Sequence, residues 1–75
     1  MQSDEKLDMR GQACPVPLVE TRKRLNKMST GQVLEVIGDH GPSKKEVPET
    51  MQELGQEVLE VTEESGVWHV FIRKK

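Results

Sequence analysis

Two β-branched runs only four residues apart, Val58 to Thr62 and Val67 to Arg73 around Glu63-Glu64-Ser65-Gly66, commit the end of this chain to an antiparallel hairpin. Trp68, Val70 and Ile72 alternate with His69, Phe71 and Arg73, so the first set is expected to face a core and the second to face away. Val33 to Gly38, bounded by glycines, reads as a third strand with Leu34 and Val36 on one face and Val33, Glu35 and Ile37 on the other. Lys6 to Met9 is a short fourth candidate, followed by a turn at Gly11. The last strand is read as a sheet edge guarded by Arg73, Lys74 and Lys75.

The segments between these strands carry helical spacing. Leu18, Thr21, Leu25 and Met28 form one stripe on a helix expected from Pro15 to about Met28, with Glu20 placed to pair with Arg24 four residues on. Ser43-Lys44-Lys45-Glu46 matches a capping box and predicts a second helix starting at Ser43. Pro48 lacks the N–H that would bond back to Lys44, so regular helix is expected only from Pro48 to Leu54, with Val47, Met51 and Leu54 inward and Gly55 as the C-terminal cap. The order β-α-β-α-β-β predicts an α+β two-layer sandwich, a four-stranded mixed sheet with two helices on one face. No linker or repeat interrupts it, so residues 1–75 read as a single domain with a flexible start over 1–5.

A chain of 75 residues buries only about 60% of the surface its unfolded form exposes. With 33% hydrophobic residues and two aromatics, Trp68 and Phe71, it has no room for a deep enclosed pocket, and chemistry must sit at the surface with a partner completing the site. One cysteine rules out an internal disulfide and any Cys-x-x-Cys arrangement. No run of about 18 apolar residues is present, and the polar start Met1 to Lys6 has no apolar segment, so a soluble cytoplasmic protein without membrane contact is expected. The net charge of −2 is polarised: Arg10 to Gly31 holds five basic residues and one acidic, whereas Glu46 to Glu64 holds seven acidic and no basic.

That cysteine, Cys14, falls where the first strand turns into the first helix, and Pro15 suits the first helical position. A free thiol with a pKa near ~8.5 is about 3% thiolate at pH 7, and a shift to roughly 6.5 raises this to about three quarters. A helix terminus contributes only ~0.3–1 kcal/mol, so more is required. Arg10 is the nearest cation and the candidate thiolate stabiliser; the alternative is an inert cysteine kept for packing. If the first two strands are parallel, the turn of Arg10 and Cys14 neighbours the turn of Asp39 and His40. Asp39 is expected to fold its own turn, and His40 is either a polar turn residue or a group acting on the thiol. A zinc site from Cys14, His40 and His69 would require three distant segments to converge and is not expected, and the pattern calls for no cofactor.

The run Leu-Asp-x-Arg-Gly-x-x-Cys-Pro-x-Pro-Leu from Leu7 to Leu18 resembles the defining motif of the TusA (SirA-like) family of sulfur carriers. The similarity continues through Gly31 to Val36, Asp39, Val47-Pro48 and Leu54 to Leu59. The resemblance implies that Cys14, in the Cys-Pro-x-Pro element, accepts sulfur as a persulfide and passes it on in a relay serving tRNA thiolation, cofactor synthesis or sulfur oxidation. It implies a sulfurtransferase-type carrier more than a self-sufficient enzyme. Its partners would be a cysteine desulfurase or other sulfur donor and a downstream sulfur-acceptor protein, with tRNA reached only indirectly. Pro15, Pro17, Arg22, Lys23, Arg24, Asp39 and His40 are the candidate binding residues. His40-Gly41-Pro42 departs from the acidic residue and proline frequent at that turn in the family. A second class of function is a noncatalytic module that binds RNA or protein through the basic first helix, against which stand the net negative charge and the scarcity of aromatic stacking platforms.

Overall fold

The computed structural model describes residues 3–12 and 16–75. Its elements follow the order read from the sequence: β1 (Glu5–Asp8), α1 (Val16–Lys27), β2 (Val33–Gly38), α2 (Gly41–Glu53), β3 (Glu57–Glu64) and β4 (Val67–Arg73). The strands form one sheet in the order β1-β2-β4-β3, with β1 parallel to β2 and the other neighbours antiparallel. Both helices lie on one face, and the apolar side chains of β2 and β4 meet them there.

The alternation in β2 and β4 builds that core. Leu34, Val36, Trp68, Val70 and Ile72 are fully buried and pack against Leu25, Met28, Val47 and Met51 from the helices. On α1 the inward stripe is Pro17, Thr21 and Leu25, continued by buried Met28 just past the helix end, and it starts one residue away from the expected Leu18, which is only half-buried. The buried Thr21 hydroxyl is satisfied by donating to the Pro17 carbonyl (2.6 Å).

Several boundaries differ from expectation, each for a local reason. β1 starts at Glu5, because Asp4 is pinned in both directions: its N–H donates to the Val33 carbonyl and its carboxylate accepts the Val33 N–H, both at 2.8 Å. Glu5 therefore belongs to the sheet, and Asp4 is tied to it by these two bonds. α2 begins at Gly41 with Pro42 in its first turn and His40 as N-cap. The capping box does not form, since Ser43 is buried and its hydroxyl shares a hydrogen bond with His40 Nδ1 (2.9 Å). The helix also runs unbroken through Pro48, held by the complete burial of Val47 and Met51 on either side of it. Its end is as expected. Gly55 at φ +88° follows the C-cap Leu54, with the N–H groups of Gly55 and Gln56 returning to the carbonyls of Gln52 and Met51 in a Schellman motif. Leu54 itself points outward.

The hairpin is tighter than its four-residue loop suggested. Pairing extends to Glu64–Val67, leaving Ser65 and Gly66, both at positive φ, as a two-residue type I′ turn. An irregularity between Val58 and Glu60 inserts Leu59 as an extra residue in β3. β4 is interior, so the sheet edges are β1 and β3, and the acidic side chains of β3 supply the charge that guards one of them.

One close approach matters for the turn after β2. Gly38 lies opposite Trp68 in the β2–β4 register, and a Cβ on it would come within 2.3 Å of Trp68 Cζ2 and 2.6 Å of Cη2. The indole Nε1–H then donates to the His40 carbonyl (2.9 Å), so one buried ring packs under Gly38 and ties down the start of α2. Gly38→Ala is expected to lower stability by about 1–3 kcal/mol through overpacking, measured by urea denaturation; a stability equal to that of the native chain would mean that the ring moves aside at no cost.

Candidate functional site

The motif cysteine follows a turn in which every backbone donor has a partner. Met9 N–H donates to the Ile37 carbonyl (2.6 Å), Arg10 N–H to Asp8 Oδ1 (3.1 Å), Gly11 N–H to Asp39 Oδ1 (2.9 Å) and Gln12 N–H to the Met9 carbonyl (3.1 Å). The last bond closes a β-turn over residues 9–12, and Gly11 at φ +83° occupies the position that requires a left-handed backbone. Ala13, Cys14 and Pro15, the next three residues, lie outside the described residues, and α1 begins at Val16.

Asp39 and the Arg10 turn are thus neighbours, as the parallel pairing of β1 and β2 requires. Asp39 bonds across to Gly11, whereas the sequence suggested a bond within its own turn. His40 sits beside it as the N-cap of α2, half-buried, with its ring on Ser43 and its carbonyl on Trp68.

Arg10 is engaged by a partner the sequence reading passed over. Its guanidinium grips Asp8 in a two-pronged ion pair, with Nε–Oδ1 at 3.0 Å and Nη2–Oδ2 at 2.7 Å. The side-chain hydrogen bonds from Arg10 lower the Asp8 carboxyl to about 2, and the same bonds, with the charges of Asp8 and then Asp39, raise the Arg10 guanidinium. The signal was in the motif, since Asp8 stands two residues before Arg10 in it. Asp8, Arg10 and Asp39 together carry one negative charge, so Arg10 serves the site by masking a carboxylate and is not a free cation.

This pair has a measurable pH signature. The folded Asp8 carboxyl titrates below its ordinary value of 3.8, so the pair's contribution is complete above about pH 4 and is lost as the pH falls toward 2. Carboxyl carbon shifts followed by NMR are expected to show an Asp8 midpoint near 2 in the native chain and a higher one in Arg10→Gln, where the backbone N–H bond from residue 10 remains but the guanidinium is gone. Equal midpoints in the two proteins would show that the ion pair does not persist in solution.

The remaining candidates separate. Pro17 is fully buried and packs in the core, so its side chain is not on the accessible surface. Arg24 pairs with Glu5 of β1 (3.0 Å) and Glu20 with Lys23 (3.7 Å), in place of the expected Glu20–Arg24 pair, because Arg24 reaches the sheet edge. Among the described residues Arg22 has no ion-pair partner, and it lines a shallow depression of about 180 Å³ with Leu25, Asn26, Met51, Leu54 and Gln56. Val16 and Val19, at the first turn of α1, are exposed. His69 donates from Nδ1 to Glu35 Oε2 (2.6 Å) on the sheet face away from the helices, where Lys6 approaches the same carboxylate at 4.0 Å. The two histidines are therefore engaged on different elements, and no group of three potential metal ligands forms among the described residues. Neither aromatic ring is exposed as a platform for a base, since Trp68 is fully buried and Phe71 is 8% exposed.

A two-layer sandwich of this strand order and helix placement is the fold of the SirA-like class. A solved SirA-like protein from Desulfitobacterium hafniense superposes with a TM-score of 0.82 at 27% identity, covering 92% of this chain and 95% of that one. The family model described as Sulfurtransferase TusA matches residues 5–74, and the chain belongs to that family. A putative sulfur carrier protein of Thermotoga maritima is 45% identical over 99% of this chain and 95% of its own length. The sulfur carrier protein TusA of Allochromatium vinosum is 41% identical over 95% of this chain and 93% of its own length. No helix among the described residues is long and apolar enough to cross a membrane.

Proposed function

We propose that this protein is a sulfur carrier that takes up sulfur as a persulfide on Cys14 and hands it to a downstream acceptor. The observation that carries the reading is the motif run Leu7 to Leu18 in a chain whose family match spans residues 5–74. In the loading step the Cys14 thiolate attacks the outer sulfur of a donor persulfide. A sulfur–sulfur bond forms on Cys14, the donor's own sulfur–sulfur bond breaks, and the donor cysteine leaves as thiolate. In the delivery step an acceptor thiolate attacks the outer sulfur and Cys14 leaves as thiolate. Neither step needs an outside oxidant or reductant, because the sulfane sulfur keeps its oxidation level throughout.

The surroundings suit transfer between proteins. Exposed Val16 and Val19, which follow the cysteine closely in sequence, offer apolar contact, and Arg22, without an ion-pair partner among the described residues, offers charge one turn further along α1. The donor is a cysteine desulfurase or another persulfide-bearing protein, and the acceptor is a thiol protein of a relay leading to tRNA thiolation, cofactor synthesis or sulfur oxidation. tRNA itself is not the direct partner, in keeping with the burial of both aromatics. A lone reactive thiol also suits the reducing cytoplasm.

Nonreducing intact-mass spectrometry after incubation with a cysteine desulfurase and cysteine tests the proposal. The native chain is expected to gain one sulfur atom that a reductant removes. No gain from the desulfurase, and none from polysulfide, would refute it.

A further inference from the structure

Among the described residues, one side chain from outside the Leu7–Leu18 run holds the turn before the cysteine, and it is a carboxylate. Met9, Arg10 and Gln12 direct their N–H groups to β2's Ile37 or to the Leu7–Leu18 run itself, and all three bonds belong to the strand or to the turn closure. Gly11 is different, since its N–H projects out of the turn and finds Asp39 Oδ1 at 2.9 Å, 28 residues along the chain. Gly11 also has the left-handed backbone, so it is the point at which the chain changes direction toward α1.

Asp39 is itself held by the core. Gly38 before it packs directly over the Trp68 indole, leaving no room for a Cβ, and the His40 carbonyl after it accepts the indole N–H. His40 is further fixed as the N-cap of α2, with its carbonyl also accepting the Ser43 N–H (3.1 Å). A fully buried ring thus anchors the residues on both sides of Asp39, and Asp39 passes that rigidity to Gly11 through one hydrogen bond.

We infer that Asp39 is a positioning residue for the turn over residues 9–12: its carboxylate fixes the Gly11 peptide, three residues ahead of Cys14 in the chain. The role is geometric, because Asp39's negative charge beside the turn by itself disfavours thiolate and would be a poor choice if charge were what the site required. Asp39 touches neither donor nor acceptor sulfur in this role. The consequence for sulfur transfer rests on the reading of Cys14 as the sulfur-bearing thiol; the consequence for the turn does not.

Two variants separate hydrogen bond from charge. Asp39→Asn keeps an oxygen to accept the Gly11 N–H and loses the charge, whereas Asp39→Ala loses both. Any difference between them belongs to the hydrogen bond alone. Gly11 amide exchange measured by NMR is expected to be about tenfold faster in Asp39→Ala than in Asp39→Asn, the loss of one hydrogen bond to a side-chain acceptor. The pH profile of Cys14 alkylation by iodoacetamide is expected to move toward that of a free cysteine in the alanine variant relative to the asparagine variant. Equal Gly11 exchange or superimposable alkylation profiles in the two variants would overturn the inference. Sulfur loading from the desulfurase is followed in parallel, so failure of the native chain to load counts against the carrier reading and leaves the comparison of the two variants intact.

Discussion

Trp68→Ala is expected to remove about 3–5 kcal/mol of stability, the cost of truncating a fully buried aromatic side chain. A domain of this size has roughly 4–11 kcal/mol in total, so the variant should be close to unfolded at room temperature. At about 4–8 °C per kcal/mol, the melting temperature should fall by roughly 12–40 °C. The effect is large because the ring does three things at once. It fills the sheet-to-helix core, it packs under Gly38 where no other residue fits, and its N–H satisfies the His40 carbonyl at the start of α2. A double-mutant cycle isolates the second of these: Gly38→Ala should be destabilising in the native chain and nearly neutral once Trp68 is replaced by leucine. Thermal and urea unfolding followed by circular dichroism provide the measurements, and a loss below about 1 kcal/mol for Trp68→Ala would contradict a central role for the ring.

The second large effect is chemical. Cys14→Ser is expected to abolish sulfur loading from the desulfurase and from polysulfide alike, while circular dichroism and urea unfolding still show a cooperatively folded chain. Serine cannot substitute, because the thiolate is the nucleophile and a hydroxyl is not ionised at neutral pH. The contrast with Trp68→Ala is informative: one variant loses the fold and so the chemistry, the other loses the chemistry with the fold in place. Sulfur found on Cys14→Ser would show that another group carries it.

The neighbourhood of Cys14 can be tuned through the same turn. Arg10→Ala exposes the Asp8 carboxylate and should raise the thiol pKa, whereas Asp8→Asn releases the guanidinium and should lower it. Both changes should be small, since exposed charges act on one another through water.

Much of this molecule was legible as pattern. Alternation in Val33–Gly38 and Val67–Arg73 identified the core faces of β2 and β4, because a pleated strand sends successive side chains to opposite sides and only one side is covered. The glycine after α2 announced its cap, since a left-handed residue there is cheap only for glycine. The cysteine run identified the family because its residue types and spacing are specific over twelve positions. These are local or periodic signals, and they survive in a linear string.

What the string did not carry depended on which residues meet. Ser43 and Glu46 have the spacing of a capping box, yet Ser43 turns inward to His40 because α2 starts two residues earlier. Pro48 should disturb its helix, but burial of Val47 and Met51 outweighs the lost backbone bond. Arg10 looked like a free cation until Asp8 was seen to hold it, and Arg24 left its helical neighbour for Glu5 across the sheet edge. The link from Trp68 through Gly38 and Asp39 to Gly11 joins three segments far apart in sequence, and nothing local marks it. By itself the sequence determined the elements, their order and the family, and singled out Cys14 as the candidate thiol, because those rest on periodicity, spacing and residue chemistry. The tertiary structure decided which charges are masked and how the cysteine turn is held, because ion pairs and cross-chain hydrogen bonds exist only once distant segments are brought within a few ångströms.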